Sequence, residues 1–355
     1  MSIDSLLHSS ASLEQHLASS SLGAQFVNLG TTGTAISHEH GNDVNSDISG
    51  DNNIDINVEF SSGHLTLFGQ ALTTEQVESI CEALVPVLTL LAPLQAHQYH
   101  QRFGDTVVFT EVRFRSALLA EIKEQIATLA QQYYCEICLQ LSRPALAEPG
   151  LLVMDMDSTV IQIECIDEIA KLAGLGEQVA AVTAKAMRGE LAFSESLISR
   201  VQCLTDVPVA QLQKIRDSIP LMPGVAALVT ELKQHNWKVA IASGGFTYFA
   251  QYLQQRLGLD DSFANTLEEH DGKLTGKVLG EIVDAEVKAR VVRSLGDKYE
   301  IAPNQTIAMG DGANDLVMMS ASALGVACHA KPLVNQKADV AIRYTGLHSL
   351  LYLLQ

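Results

Sequence analysis

The chain has 355 residues, which allows two or three domains, and a hydrophobic content of 47% with only 9 prolines predicts a globular protein. Its formal net charge is −18, and residues 1–101 contain 11 acidic residues but no lysine or arginine. A nucleic-acid-binding face needs clustered basic residues, so this composition argues against nucleic acid as a partner.

The same composition bears on where the protein works. An N-terminus without positive charge lacks what secretory and organellar targeting signals need. The longest apolar run, "ALVPVLTLLAPL", has 12 residues with two prolines and is too short to cross a membrane. Six cysteines are too few at this length for a disulfide framework. We therefore predict a cytoplasmic protein without a membrane partner.

Residues 1–62 are predicted to form an acidic, partly irregular N-terminal segment. A short helix is predicted at "SLEQHLAS", and the following stretch is rich in Gly, Asn, Asp and Ser without helical periodicity. His38 and His40 lie in that stretch. Because no third ligand is close in sequence, we interpret them as loop residues and not as a metal site.

Residues 63–141 are predicted to form a small α+β domain. The order of elements is a strand, a Thr-capped helix, two strands, a second helix and a last strand, given by "HLTLFGQ", "TTEQVESICEALVPVL", "LQAHQYHQRF", "TVVFTEVRF", "SALLAEIKEQIATLAQQY" and "CEICLQL". This β-α-β-β-α-β order is the ferredoxin-like plan and resembles ACT-type modules, which bind amino acids. Two roles stay open for it: serine binding with regulation, or formation of a homodimer. Residues 142–149, which contain two prolines, are predicted to be a linker.

Residues 150–355 are predicted to form an α/β domain with a Rossmann-like, doubly wound parallel sheet. Five short runs, apolar on all sides, predict its strands: "GLLVMD", "WKVAIAS", "QTIAMG", "LGVAC" and "DVAIR". The first two runs are separated by 81 residues, far more than one crossover helix needs, so we predict an inserted helical cap over about 167–222. "HDGKLTGKV" predicts a β-hairpin that forms a small flap near the crevice.

Three of these strands run directly into polar residues. They are Asp155 and Asp157 after the first strand, Ser243 and Gly244 after the second, and Asp311, Asn314 and Asp315 after the third. Ligands of open α/β sheets bind outside the carboxyl ends of the strands, so we expect these side chains to share one crevice. Clustered carboxylates need a hard cation such as Mg²⁺, and a Ser-Gly-Gly turn leading into a helix suits an anion. The pattern predicts phosphoryl transfer.

The motifs "DMDST", "SGGF" and "GDGAND", in that order, resemble those of the haloacid dehalogenase-like phosphatases. "IECIDEIAKLAG", "MRGELAFSESLISRV" and "FAN" extend the resemblance to the bacterial members that act on phosphoserine. The resemblance covers residues 150 to about 345 and none of residues 1–149. It implies Mg²⁺-dependent hydrolysis of O-phospho-L-serine to serine and phosphate through an aspartyl-phosphate, the last step of serine biosynthesis.

The resemblance also implies a role for each motif residue. Asp155 is the expected nucleophile and Asp157 the proton donor, which agrees with what two neighbouring carboxylates can do chemically. The implied metal ligands are Asp155, Asp311 and the backbone carbonyl of Asp157. The implied phosphoryl-binding residues are Ser243, Gly244 and Lys288, with Asn314 nearby and Asp315 orienting the lysine. Without the resemblance, Lys288 in "DAEVKARVVRSL" would be interpreted as a solvated helix lysine.

The cap is expected to select the substrate. Glu164 would pair with the ammonium of phosphoserine and Arg200 with its carboxylate, while Met187 and Phe193 would cover the site and exclude water. From the residues alone, the favoured interpretations are a helix-surface arginine for Arg200 and ordinary helix packing for Met187 and Phe193.

Other functions were weighed against this one. A phosphatase for another small phosphomonoester, or a phosphotransferase to another alcohol, needs the same residues and stays open. A dehalogenase is disfavoured because carbon–halogen cleavage does not require an acid such as Asp157. A non-enzymatic amino-acid sensor would be supported by the loss of a motif residue, but Asp155, Asp157, Ser243, Lys288 and Asp311 are all present.

Overall fold

The computed structural model describes residues 59–355, so the helix predicted at "SLEQHLAS" and the residues His38 and His40 lie outside the described residues. The chain divides into two compact units, with the boundary between Ser142 and Arg143. Within residues 59–355, no helix combines the length and the apolar character needed to cross a membrane.

The described part of the N-terminal unit is an antiparallel sheet with two helices. Its elements are β1 (Phe60–Gln70), α1 (Thr74–Leu84), β2 (Thr89–Leu90), β3 (Gln95–Ala96), β4 (Asp105–Arg115), α2 (Leu119–Tyr133) and β5 (Glu136–Gln140). The strand order is β2-β4-β1-β5, and β3 also pairs with β4. Ile80 of α1 and Ile122 of α2 share one buried cluster with Leu65 and Val112, so both helices cover the same face. Thr73 caps α1 in a reciprocal pair with Gln76, as the Thr signal predicts.

The strand predicted at "LQAHQYHQRF" is wrong beyond its first residues, because only Gln95–Ala96 is extended and paired. His97 Nδ1 accepts the backbone N–H of Tyr99 at 3.2 Å, and His100 Nδ1 accepts that of Val107 at 3.0 Å. These ring nitrogens accept hydrogen bonds from backbone N–H groups that would pair with the neighbouring strand if the β-ladder were longer. The chain then reverses through Gln101, whose φ is +61°.

The C-terminal unit alternates strands and helices. Its elements are β6 (Leu151–Met154), α3 (Cys165–Leu172), α4 (Gly176–Met187), α5 (Phe193–Cys203), α6 (Val209–Asp217), α7 (Val225–Gln234), β7 (Lys238–Phe246), α8 (Thr247–Leu257), β8 (Asp261–His270), β9 (Lys273–Leu279), α9 (Ala285–Lys298), β10 (Thr306–Gly310), α10 (Leu316–Ser320), β11 (Leu324–Cys328), α11 (Pro332–Lys337) and β12 (Val340–Ile342). Residues 347–353 close the unit as a 3₁₀-helix.

The predicted parallel sheet is confirmed. Its order is β12-β11-β10-β6-β7-β8-β9, and only β9 runs antiparallel to its neighbour. Leu151 and Val153 pack with residues of α9 and α10, whereas Leu152 and Met154 point to the other face and are equally buried. Both faces are therefore covered. The strand that follows β6 in sequence, β7, lies on one side of β6 and the later strand β10 lies on the other, so the winding reverses at β6 and creates a crevice at the carboxyl ends.

The region predicted as a cap, about 167–222, is occupied by α3 to α6, which lie between residues 165 and 217. The hairpin β8–β9 turns at Asp271 and Gly272, whose φ values are 49° and 72°, the geometry of a tight hairpin turn. Its second strand bonds to the connection between α5 and α6: Asp206 donates to the Leu274 carbonyl at 2.9 Å, and Leu274 donates to that of Val207 at 2.9 Å. The flap therefore holds the base of the cap.

Of the predicted linker, residues 142–149, the part from Arg143 onward packs on the C-terminal unit. Leu146 N–H donates to the Gln355 carbonyl at 3.0 Å, and Gln355 N–H donates to the Pro144 carbonyl at 2.9 Å. The Arg143 guanidinium bonds the Leu354 carbonyl, and Trp237 Nε1 donates to that of Leu146 at 3.1 Å. The two prolines shape a fixed segment and not a free tether.

Gly150 is expected to be indispensable for this packing. A Cβ at this position would lie 2.5 Å from the ring of Trp237, which is buried. Gly150→Ala should lower the free energy of unfolding by about 1–3 kcal/mol, because the indole has to move. Gly296→Ala is the matched control, since no atom lies within 4 Å of its Cβ and a helical alanine adds about 0.5–1 kcal/mol. Urea denaturation of both variants measures the difference; an unchanged midpoint for Gly150→Ala would contradict it.

Candidate active site

A cavity of about 550 Å³ lies at the carboxyl ends of β6, β7 and β10, beneath α4 and α5. Ten of the predicted site residues line it: Asp155, Asp157, Glu164, Met187, Phe193, Arg200, Ser243, Gly244, Asp311 and Asn314. The other two, Lys288 and Asp315, are buried behind the Asp155 carboxylate: Lys288 pairs with Asp155 and Asp315 pairs with Lys288. Groups more than 150 residues apart in sequence therefore meet at one edge of the sheet.

The chain leaves β6 through a tight turn at Met156–Val160, which follows Asp155 and contains Asp157. Asp155 Oδ1 accepts the Met156 N–H at 2.7 Å, which fixes this carboxylate at the end of the strand. Ser158 has a φ of +57°, a left-handed conformation that turns the chain back toward the crevice. The turn leaves Asp155 and Asp157 side by side in the cavity wall.

Lys288 joins two of the carboxylates. Its Nζ lies 2.8 Å from Asp155 Oδ2 and 2.7 Å from Asp315 Oδ1, and the side chain is only 1% exposed. Burial lowers the pKa of the Lys288 ammonium, but the Asp155 and Asp315 charges outweigh burial, so the net shift is upward. Asp315 also accepts the Gly312 N–H at 3.0 Å. The lysine is therefore held charged and in one orientation.

Asp157 lies in a different electrostatic environment. Burial raises the pKa of its carboxyl well above the usual value, and the nearby charges of Glu164 and Asp155 raise it further. A hydrogen bond from Cys165 opposes these effects. Among the described residues, Asp157 Oδ1 has no hydrogen-bond partner. The environment favours the protonated carboxyl, which is the form that a proton donor needs.

The carboxylates suit a divalent cation. Oxygen atoms of Asp155, Asp311 and Asp315 lie within 4.8 Å of one another. Burial raises the pKa of Asp311, because it disfavours the charged form, and the negative charge of Asp155 raises it further, to about 6. A hard cation would relieve the repulsion between these carboxylates, and oxygen ligands are what it prefers. The Asp157 side chain is not part of this group, so the metal contact predicted for Asp157 would be made by its backbone carbonyl.

The Ser-Gly-Gly turn at the end of β7 packs too tightly for larger residues. A Cβ on Gly244 would lie 2.8 Å from Phe193 Cζ, and one on Gly245 would lie 2.6 Å from Met156 Cε. Gly245 N–H donates to Ser243 Oγ at 2.9 Å. The turn thus presents a hydroxyl and backbone groups beside the carboxylates, as an anion-binding site requires.

Glu164, directly before α3, contributes an anion to the cavity, and Arg200 of α5 contributes a cation. Glu164 accepts a hydrogen bond from Ser158 Oγ at 2.7 Å. Arg200 Nε is buried without a hydrogen-bond partner among the described residues. Burial lowers the pKa of the Arg200 guanidinium, while the Asp167, Glu164 and Asp157 charges oppose the shift. A buried guanidinium with an unused donor is a ready site for an anionic group.

The two predicted covering residues do not seal the site in this conformation. Met187 is 78% exposed and Phe193 is 36% exposed, although both line the cavity. The prediction that they exclude water is therefore not met here, because α4 and α5 leave the cavity mouth open.

The sequence interpretation missed two charged residues of the cavity, Asp167 and Lys331. Asp167 is three positions after Glu164, so a helix starting there would place both on one face, and this spacing was a usable signal. Lys331 follows the carboxyl end of β11, as the other site residues follow their strands. Its charge lowers the pKa of Asp311 against the larger effects of burial and Asp155.

Comparison with known proteins agrees with this geometry. Residues 150–322 match the family model described as haloacid dehalogenase-like hydrolase. The phosphoserine phosphatase of Vibrio cholerae is 52% identical over 236 residues, which are 66% of this chain and 72% of that protein.

Two solved structures are similar as well. The unliganded probable phosphoserine phosphatase from Vibrio cholerae has a TM-score of 0.68 and 44% identity, over 82% of this chain and 86% of that one. A phospho-aspartyl intermediate analogue of phosphoserine phosphatase has a TM-score of 0.55 and 38% identity, over 59% of this chain and 100% of that one.

Proposed function

This chain belongs to the phosphoserine phosphatases among the haloacid dehalogenase-like hydrolases, and we propose from that premise that its crevice hydrolyses O-phospho-L-serine through an aspartyl-phosphate on Asp155. One observation carries the proposal: the nucleophile candidate, held by Lys288, shares a cavity with the unpartnered Nε of Arg200. A phosphate and an amino-acid carboxylate on one small substrate match these two groups.

The first half of the reaction breaks the bond between phosphorus and the serine oxygen. Asp155 attacks phosphorus while Asp157 gives its proton to the leaving oxygen, so serine departs as a neutral alcohol. Lys288 and the Ser243 hydroxyl stabilise the charge on the phosphoryl oxygens. Asp155 and Asp311 would hold Mg²⁺, which when bound would supply further positive charge to those oxygens.

In the second half, the same residues exchange roles. Asp157, now a carboxylate, takes a proton from water, and the water oxygen attacks the phosphorus of the aspartyl-phosphate. The bond to Asp155 breaks, and phosphate leaves with the Asp155 carboxylate restored. The raised pKa of Asp157 favours the protonated carboxyl that the first half needs and that the second half restores.

Substrate selection is proposed to rest on Glu164 and Arg200. Glu164 pairs with the ammonium group of phosphoserine, and Arg200 donates to its carboxylate. Asp167, in α3, is close enough to the Arg200 guanidinium for its charge to raise the pKa of Arg200 against the effect of burial.

The direct test is phosphate release from O-phospho-L-serine with Mg²⁺ and after metal removal by EDTA. We expect rapid release that requires Mg²⁺ and returns when Mg²⁺ is restored. Release from an aryl phosphate but none from phosphoserine would leave the phosphatase chemistry in place and overturn the assignment of the substrate.

Arg200→Gln is expected to separate recognition from chemistry. The variant should lower kcat/KM for phosphoserine by about 10²-fold, because a desolvated charged bond is lost, while an aryl phosphate without a carboxylate changes only a few-fold. Steady-state kinetics on both substrates measures this. Exposed Arg293→Gln serves as the control and should change neither. Equal losses on both substrates would show that Arg200 does not bind the substrate carboxylate.

For the N-terminal unit we propose a ferredoxin-like, ACT-type module that binds serine or joins two chains. The observed element order is β1-α1-β2-β3-β4-α2-β5, with the two short strands β2 and β3 both paired with β4, and the strand order β2-β4-β1-β5 supports the proposal. Mass photometry with and without serine distinguishes the roles: dimers in both conditions favour association alone, and a serine-dependent change favours regulation. A cytoplasmic location is also part of the proposal, supported by six cysteines of which none forms a disulfide.

A further inference from the structure

Asn265, the last residue of the "FAN" motif, is a buried polar side chain to which the proposed reaction gives no role. It lies in β8 and is 1% exposed. Its Nδ2 donates to the Gly244 carbonyl at 2.9 Å, and its Oδ1 accepts the Val283 N–H at 2.9 Å. One amide thus holds the backbone of two segments that are about 40 residues apart in sequence.

The first of these segments is the Ser-Gly-Gly turn. The ladder between β7 and β8 is regular up to the pair Ala242–Phe263 and resumes at Phe246–Asn265. Three residues of β7 therefore oppose one residue of β8, which is a bulge. A bulge takes backbone groups out of the ladder, and the Asn265 amide supplies the partner for the Gly244 carbonyl.

The hydrogen bond from Asn265 to the Gly244 carbonyl affects the Ser243 hydroxyl through the peptide plane that joins Gly244 to Gly245. In a trans peptide the carbonyl of Gly244 and the N–H of Gly245 point in opposite directions. Holding the carbonyl against Asn265 therefore aims the Gly245 N–H at Ser243 Oγ, to which it donates at 2.9 Å. With one acceptor site of Oγ occupied, the hydroxyl proton is left to point into the cavity toward a phosphoryl oxygen.

The second segment is the start of α9. Val283 directly precedes Asp284, whose side chain caps the helix by accepting the Val287 N–H at 3.0 Å. Lys288 lies in the first turn, and its backbone N–H donates to the Asp284 carbonyl at 3.0 Å. Anchoring Val283 therefore sets where the helix begins and how far the Lys288 ammonium reaches toward Asp155.

We propose that Asn265 is a positioning residue that keeps the Ser243 hydroxyl and the Lys288 ammonium in register around the transferring phosphoryl group. It touches neither the substrate nor the reacting atoms and acts through the two segments it holds. The inference rests on the proposed function, because only a phosphoryl group in the crevice makes the spacing of these groups matter. Displacements near 1 Å in such groups cost about 10²-fold in rate.

The test compares Asn265→Leu with Gln305→Leu. Gln305 is also 1% exposed and bridges backbone groups of Ala145, at 2.7 and 2.9 Å, but it lies at the opposite end of β10 from the cavity. Both variants lose a buried amide and stability. Per folded molecule, Asn265→Leu should lower kcat for phosphoserine about 10–100-fold and weaken inhibition by inorganic phosphate, whereas Gln305→Leu stays within about twofold. Equal values for the two variants would overturn the inference.

A double-mutant cycle adds a readout that general destabilisation cannot mimic. If Asn265 acts through Ser243, the loss caused by Asn265→Leu should be several-fold smaller in a Ser243→Ala background. The same fold-loss in both backgrounds would overturn the coupling.

Asn265→Asp is measured in the same way if the leucine variant does not fold. It keeps the side-chain volume and the acceptor for Val283, but its carboxylate cannot donate to Gly244, so the same loss of kcat is expected. Failure of this inference is distinct from failure of the proposed function. Wild-type protein that is inactive on phosphoserine would overturn the proposed function. Active wild-type protein, with kcat values of the Asn265 variants equal to that of Gln305→Leu, would overturn the inference alone.

Discussion

Asp155→Asn is expected to lower kcat for O-phospho-L-serine by a factor on the order of 10⁴–10⁶, the loss typical of removing a nucleophile. A neutral amide oxygen does not form the bond to phosphorus, and the other carboxylate on Lys288, that of Asp315, does not line the cavity. Phosphate release over hours, at high enzyme concentration, measures the residual rate.

The interpretation of Asp155→Asn also needs a test of folding and a control substitution. The protein should remain folded, because Lys288 keeps its ion pair with Asp315 and the repulsion on Asp311 is reduced. Exposed Asp297→Asn, the same substitution on α9, should behave as wild type. Residual activity within about tenfold of wild type would assign the nucleophile to another residue.

Asp157→Asn is expected to lower kcat for phosphoserine by about 10²–10⁴, the usual contribution of general acid–base catalysis. Serine leaves as an alkoxide unless it is protonated, and an asparagine side chain has no acidic proton to give. An aryl phosphate with an acidic phenol needs no such help in the first half-reaction. The second half-reaction should be slow for both substrates, because the base is also missing.

Rapid-mixing kinetics separates these two halves. With the aryl phosphate, Asp157→Asn should release about one equivalent of phenol in a burst and then turn over slowly, which is the signature of a trapped covalent intermediate. With phosphoserine the burst itself should be slow. If the burst slows equally for both substrates, Asp157 does not protonate the leaving group.

The sequence contains enough information to predict the sheet and most of the cavity wall. Asp155, Ser243 and Asp311 each follow a short apolar run, and parallel strands bring their carboxyl ends to one edge. That inference needs only local patterns and the rule for where such sheets bind ligands. The same holds for the Asp271–Gly272 turn, whose residue types tolerate positive φ.

Other features depend on contacts that no local pattern encodes. Lys288 looks like a surface lysine in its helix, and only the fold buries it between Asp155 and Asp315. The turn that replaces the strand after Ala96 depends on ring nitrogens of His97 and His100 capturing backbone N–H groups. Strand propensity alone does not register that competition.

The role of Asn265 could not be predicted from the sequence for a different reason. Asparagine in a strand is unfavourable by propensity, and "FAN" carries no chemistry of its own. Its place becomes intelligible only when the bulge in β7 is seen to leave the Gly244 carbonyl in need of a donor. The resemblance marked the motif, but its physical reason came from the paired strands.

The reciprocal hydrogen bonds of Pro144 and Leu146 with Gln355 place the first and last residues of the C-terminal unit side by side. A unit whose two ends hold each other keeps its core closed whatever precedes it in the gene. We expect the hydrogen bonds that close this unit to survive fusion, exchange or loss of modules ahead of residue 143.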